Sequence, residues 1–200
     1  FIVQKVLIAS GKIILKDSFV LGSYEDIDLL DRQKCFLIGE LDLGVFDSIY
    51  EFSRIDGKEC FFVLFAGEID DIEMVKGIAG KGFDYENIIL AGVSRISSEC
   101  KKFIDENKIR VYSMKEMIHF EDICDVIMEK INHGFIFLDV EGSVLDNVFA
   151  KNGISGGFTT KELIYFIQRI GLLNNLKIVG FSGFSLEDYE IIIKLIEEII

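Results

Sequence analysis

The stretch Phe135-Ile136-Phe137-Leu138-Asp139-Val140-Glu141 decides how the rest of the chain is read. Its first four residues are apolar on both faces of an extended backbone. That fits a strand buried between two layers, since a strand with one wet face alternates polar and apolar residues. The run then ends in two acids at alternate positions. Five further short runs are similarly apolar: Cys35–Ile38, 60–66, Ile88–Val93, 109–112 and 177–181. Residues 3–9 and Lys12–Leu15 add two candidate strands near the start.

Helical patterns fill the gaps. Phe46, Ile49, Tyr50 and Phe52 have helical spacing, and Ser98 is placed to cap a helix through Asn107. Ser113-Met114-Lys115-Glu116 has the form of a capping box opening a helix to about Ile131. Thr159-Thr160-Lys161-Glu162 repeats it ahead of Leu163, Ile164, Phe166, Ile167 and Ile170. Ser185 and Asp188 open a last helix that continues to the end. Strands alternating with helices specify a three-layer αβα fold, a central mainly parallel sheet covered on both faces. No linker and no internal repeat interrupts the pattern, so residues 1–200 read as one domain.

Composition narrows the partners. Half of the 200 residues are apolar, 18 of them Phe, which excludes a disordered chain. The net charge of −13 argues against nucleic acid and anionic membrane surfaces. No apolar run approaches the roughly 20 residues of a membrane span, and the N-terminus reads as a strand, not as a leader. Cys35, Cys60, Cys100 and Cys124 lack CxxC or zinc spacing. Reduced buried thiols are expected, and with them a cytoplasmic setting.

Parallel sheets bind ligands at the carboxyl ends of their strands. Gly39-Glu40-Leu41-Asp42, Ala66-Gly67-Glu68-Ile69-Asp70-Asp71 and Asp139-Val140-Glu141 each follow a strand and carry acids at alternate positions. Residues i and i+2 of an extended segment point the same way. Acids meeting in a crevice either rise in pKa or hold a cation, and oxygen donors suit Mg, Mn or Ca. The competing reading is that these acids cap helices or face water.

Residues 137–141, then Leu145-Asp146-Asn147-Val148-Phe149-Ala150, then Gly156-Gly157-Phe158-Thr159 through Glu162 resemble, in order and spacing, the signature of the ureohydrolase family of arginases, agmatinases and formiminoglutamases. Ser94-Arg95 resembles the family's Gly-x-Arg segment, and 176–181 its next strand. The resemblance implies an arginase-like fold. It implies metal-dependent hydrolysis of guanidino or amidino C–N bonds by water activated between two Mn ions, and assembly into trimers or hexamers.

The chain departs from the family's ligand pattern. Asp42 falls where the first ligand His is expected. Ala66, Glu68 and Asp70 fall on Asp-Ala-His-x-Asp, so only Asp70 is retained; shifted by one residue, Phe65, Gly67 and Ile69 would occupy the ligand positions and none would survive. Asp139 and Glu141 match Asp-x-Asp. The Glu expected to hold the guanidinium falls near Ser185, and the His of a His-Gly loop is Ala79. Asp42, Glu68, Asp70, Asp139 and Glu141 are therefore the candidate metal ligands, for Mn or Mg, or for no metal if the site is lost; no catalytic residue is assigned.

Three functions follow: a pseudoenzyme kept for binding or assembly, an altered hydrolase with an all-carboxylate site, and a subunit or regulatory partner. The third rests on the last helix, whose apolar positions from Leu186 to Ile200 are wider than one stripe, as burial on two sides or an ordinary internal helix would give. Gly77 to Gly82 lacks phosphate-loop spacing. Structural or surface roles are expected for His119 and His133.

Overall fold

The computed structural model describes Val6–Ala9, Lys12–Leu15, Cys35–Ile38 and residues 57–80 and 83–199. The expected helix around Phe46–Phe52 and the candidate ligand Asp42 lie outside the described residues. In chain order the strands are β1 (Val6–Ala9), β2 (Lys12–Leu15), β3 (Cys35–Ile38), β4 (Cys60–Phe65), β5 (Glu68–Ile69), β6 (Ile88–Val93), β7 (Arg95–Ile96), β8 (Arg110–Ser113), β9 (Phe135–Glu141) and β10 (Leu176–Ser182). The α-helices are α1 (Ile72–Gly80), α2 (Ser98–Glu106), α3 (Phe120–Ile131), α4 (Thr160–Gly171) and α5 (Tyr189–Glu197).

Six strands form one sheet in the order β3-β10-β9-β4-β6-β8, and every neighbouring pair is parallel. β1 and β2 pair antiparallel, and β5 pairs β7 in parallel beside the main sheet.

Strand alternation divides the core in two. Phe61, Val63 and Phe65 of β4 with Ile136, Leu138 and Val140 of β9 face α3, α4 and α5. Phe62, Leu64 and Ala66 with Phe135 and Phe137 face α1 and α2 through Val75, Ile78, Cys100 and Ile104. Both faces are covered, which is why the strands read as continuous apolar runs.

The capping boxes differ in outcome. At Thr159 both reciprocal bonds form, and α4 starts there. At Ser185 the box forms with Asp188, but it opens a 3₁₀ turn before α5. Glu116 accepts hydrogen bonds from the Ser113 backbone amide and hydroxyl, both at 2.7 Å. The chain then makes a 3₁₀ turn over Glu116–His119, and α3 begins only at Phe120. This tighter turn buries Met117 while Ile118 stays 79% exposed. The cap of α2 is Ser97, not Ser98; its side chain accepts from the Cys100 amide at 3.2 Å.

Within this chain the last helix has the form of an ordinary internal helix. Ile192, Leu195, Ile196 and Ile199 are buried, which is one helical stripe. Ile191 and Ile193 are half-buried against the same core, and Leu186 is 85% exposed. The extra isoleucines widen that stripe without making a second buried side.

Cys60, Cys100 and Cys124 are buried in the interior. Among the described residues no helix is long and apolar enough to cross a membrane.

Candidate functional site

The chain's course places a crevice between β4 and β9. From β4 it passes through α1 to the adjacent β6, then through α2 to β8 at the sheet edge. It returns through α3, on the opposite face, to β9 on the other side of β4, and continues away through α4 to β10. Successive connections thus diverge from the β4–β9 boundary, the place where open α/β sheets receive ligands at their carboxyl ends.

The register puts acids at that boundary. Leu64 pairs with Asp139 and Phe65 with Val140, while Gly180 and Ser182 of β10 pair with Asp139 and Glu141. Asp139 and Glu141 continue the stripe of Phe135 and Phe137, so they emerge on the α1 face. A crevice of about 370 Å³ opens there, lined by Leu64, Asp71, Glu73, Met74, Asp139, Glu141, Ser182 and Gly183.

Asp139 is 1% exposed. The Ser182 hydroxyl donates to its Oδ2 at 2.7 Å, and Oδ1 has no hydrogen-bond partner among the described residues. Gly180 makes room for that oxygen: an added Cβ would lie 2.1 Å from Oδ1. Burial pushes the Asp139 carboxyl up to about 7, the Ser182 bond opposes the rise, and the charge of Glu141 adds to it. Glu141 is also raised, first by burial and then by the charge of Asp70, against a hydrogen bond from Ser143. Asp70, itself exposed, is therefore within electrostatic reach of Glu141.

Ser143 ties the two strand ends together. Its hydroxyl oxygen accepts the Gly67 amide at 3.0 Å while its side chain bonds Glu141. The approach is close enough to require glycine, since a Cβ on Gly67 would lie 2.2 Å from the Ser143 carbonyl oxygen.

The other acids after β4 have different partners. Glu68 forms an ion pair with Arg95 across the β5–β7 pairing. Asp71 accepts the Glu73 amide at 2.8 Å at the start of α1, as the capping reading expects. Glu73 pairs with Lys76 at 2.8 Å. Ala66 is buried and brings no donor.

The crevice thus gathers Asp139 and Glu141, with Asp71 and Glu73 also lining it; the charge of Asp70 reaches Glu141, while Glu68 engages Arg95. Among the described residues no group of three His, Cys, Asp or Glu side chains is arranged to hold a metal ion. Asp42, the further candidate ligand, lies outside the described residues. His133 lies at the opposite end of β9, beside Glu59 at 3.1 Å and edge-on to Phe61. Sequence reasoning passed over Ser143, Ser182 and Gly180 as site residues. Ser182 was legible as a polar residue after a strand; Ser143 acts only because the turn after β9 meets the loop after β4.

Solved structures share this architecture. Arginase from Bacillus cereus matches with a TM-score of 0.74 at 11% identity, over 88% of this chain and 74% of that one. Arginase from Bacillus caldovelox matches with a TM-score of 0.69 at 13% identity, over 88% and 72%. Formimidoylglutamase from Bacillus subtilis matches with a TM-score of 0.68 at 14% identity, over 92% and 68%. The resemblance read from the sequence thus holds at the level of fold: the chain has the arginase fold, at very low sequence identity. No protein-family model and no curated protein sequence matches it.

Proposed function

We propose that this arginase-fold chain is a pseudoenzyme: it lacks arginase- and agmatinase-type hydrolysis, and its crevice serves binding or assembly. A fold alone confers no activity, so the reading rests on the side chains at the end of β4. There Glu68, at a position the family resemblance gives to a ligand, pairs with Arg95, and Ala66 supplies no oxygen or nitrogen donor. Activating water between two ions requires ligands for both, and the described residues do not furnish them. The test is release of urea or ammonia from arginine, agmatine, guanidinobutyrate or formiminoglutamate, with Mn²⁺ added. We expect no release above a buffer blank; turnover with any of the four would refute the reading.

One observation favours a second reading, an amidine hydrolase with a carboxylate-rich divalent site. Among the described residues Asp139 Oδ1 is buried without a partner, and the charge of Asp70 acts on Glu141. Asp42 and Glu68 would have to complete such a site, and Glu68 would first have to leave Arg95. Calorimetric titration of metal-free protein with Mn²⁺ tests this reading, and the absence of heat above dilution would end it.

Assembly into trimers or hexamers is proposed on the family resemblance and is read by light scattering; a strictly monomeric mass would remove it. A cytoplasmic setting is proposed from the buried thiols.

A further inference from the structure

Asn152-Gly153 is the one Asn-Gly pair in the chain. Glycine after asparagine favours deamidation, because no Cβ hinders attack by its amide nitrogen. In that reaction the Gly153 nitrogen, having lost its proton to solvent base, bonds to Asn152 Cγ. The Cγ–Nδ2 bond breaks, and ammonia leaves with a proton taken from water. Water then opens the cyclic imide, at Cγ to give aspartate or at the backbone carbonyl to give isoaspartate. The net change is one water consumed and one ammonia released.

The folded chain restrains both reacting groups. Asn152 is exposed in the loop after β9, yet its Nδ2 donates to the Gly183 carbonyl, in the loop after β10, at 2.7 Å. The Gly153 N–H donates to the Ala150 carbonyl at 3.0 Å, which engages the proton that must leave. The Lys151 amide joins the same two loops by donating to Asp188 Oδ1 at 3.1 Å, and the Lys151–Glu187 ion pair adds a bond at 2.8 Å. The backbones also meet there, since a Cβ on Gly142 would lie 2.8 Å from the Gly183 carbonyl oxygen. Gly183 lines the crevice, so the loop contact fixes part of its wall. Deamidation replaces the donor that holds this contact: an ionised carboxylate only accepts hydrogen bonds, and it would face a carbonyl oxygen beside Asp188.

We propose that Asn152 is a spontaneous modification site gated by the contact between the loops after β9 and β10: closed, the contact holds Asn152 against Gly183; open, Asn152 deamidates through Gly153, and the carboxylate product does not reclose it. The inference does not depend on what the crevice binds or hydrolyses. The test is to hold the full chain at mildly alkaline pH, with and without denaturing guanidinium chloride, and to map the peptide containing residue 152 for aspartate and isoaspartate. A reaction that proceeds through an opened state follows the population of that state, so the native rate should be roughly tenfold or more below the denatured one. Both products are expected in guanidinium chloride. Asp188→Ala removes the acceptor of the Lys151 amide and should speed the native reaction without changing the denatured one; Glu187→Gln, at an exposed ion pair, serves if that variant fails to fold. In Asn152→Asp the amides of Lys151 and Gly153 should exchange hydrogen faster than in wild type. Equal native and denatured rates, aspartate without isoaspartate in guanidinium chloride, a native rate that neither variant raises, or unchanged exchange in Asn152→Asp would each overturn the proposal.

Discussion

At the scale of the residue, Asp139 has the most to reveal. Burial holds its carboxyl at about 7, against 3.8 for an unperturbed aspartate. Between those values the folded chain keeps a proton that the unfolded chain has released. Stability from this group is therefore fully present below about pH 4 and is lost as pH rises through 7, by a few kcal/mol. Asp139→Asn removes the titration. In urea melts the variant should gain stability relative to wild type on going from pH 5 to pH 8; two parallel profiles would show that the buried acid is not responsible. Glu68 and Arg95 should behave in the opposite way. The Arg95 side chain is 70% exposed and that of Glu68 25%, and such pairs contribute about 0–1 kcal/mol. A double-mutant cycle with Glu68→Gln and Arg95→Met should give a coupling in that range, and several kcal/mol would mean that the pair carries more than surface packing. Asp139 and Glu141 were legible as a pair because strand periodicity fixes their common side. The engagement of Glu68 was not: Arg95 is 27 positions away, and the two meet only when β5 and β7 pair.

At the scale of the element, the capping boxes show what local sequence does and does not determine. The Thr159 box is complete, and Leu163, Phe166, Ile167 and Ile170 behind it form one buried stripe, so cap and packing agree on where α4 starts. Thr159→Ala should cost about 1 kcal/mol, seen as a lower urea midpoint with an unchanged m-value; an unaltered midpoint would mean that packing alone sets the start of the helix. Phe166 tests the packing side. Its ring lies near Phe65, Phe120, Phe158 and Tyr165, joining α4 to the sheet, to α3 and to the loop after β9. Phe166→Ala should cost roughly 3–5 kcal/mol, and a loss below 1 kcal/mol would mean that the cluster closes over the gap. At Ser113 and Ser97 the reading was less complete. Glu116 does bond back to Ser113, yet tertiary burial of Met117 favours a 3₁₀ turn over an immediate helix. Ser97 and Ser98 are chemically equivalent as caps, and only the first has its hydroxyl facing the Cys100 amide.

At the scale of the whole molecule, the sheet was legible because burial on both faces leaves no polar alternation, and six apolar runs became its six strands. Their lateral order was not legible. Apolar runs of this kind are interchangeable partners in sequence, and what orders them is which helix covers which face. That order predicts a gradient of stability. β9 lies between β10 and β4, and β4 between β9 and β6, with β4 buried along its whole length. Among the described residues β8 is an edge strand paired with β6, and Arg110 is exposed. Central strands exchange their amide hydrogens only through global opening, whereas edges also open locally. In native-state hydrogen exchange, the amides of β4 and the first part of β9 should therefore be the slowest and respond to added urea with the full equilibrium m-value. The exposed side of β8 should exchange faster and with a shallow urea dependence. If β8 outlasted β9, the divergence of the chain from the β4–β9 boundary, and with it the crevice at that boundary, would be wrong.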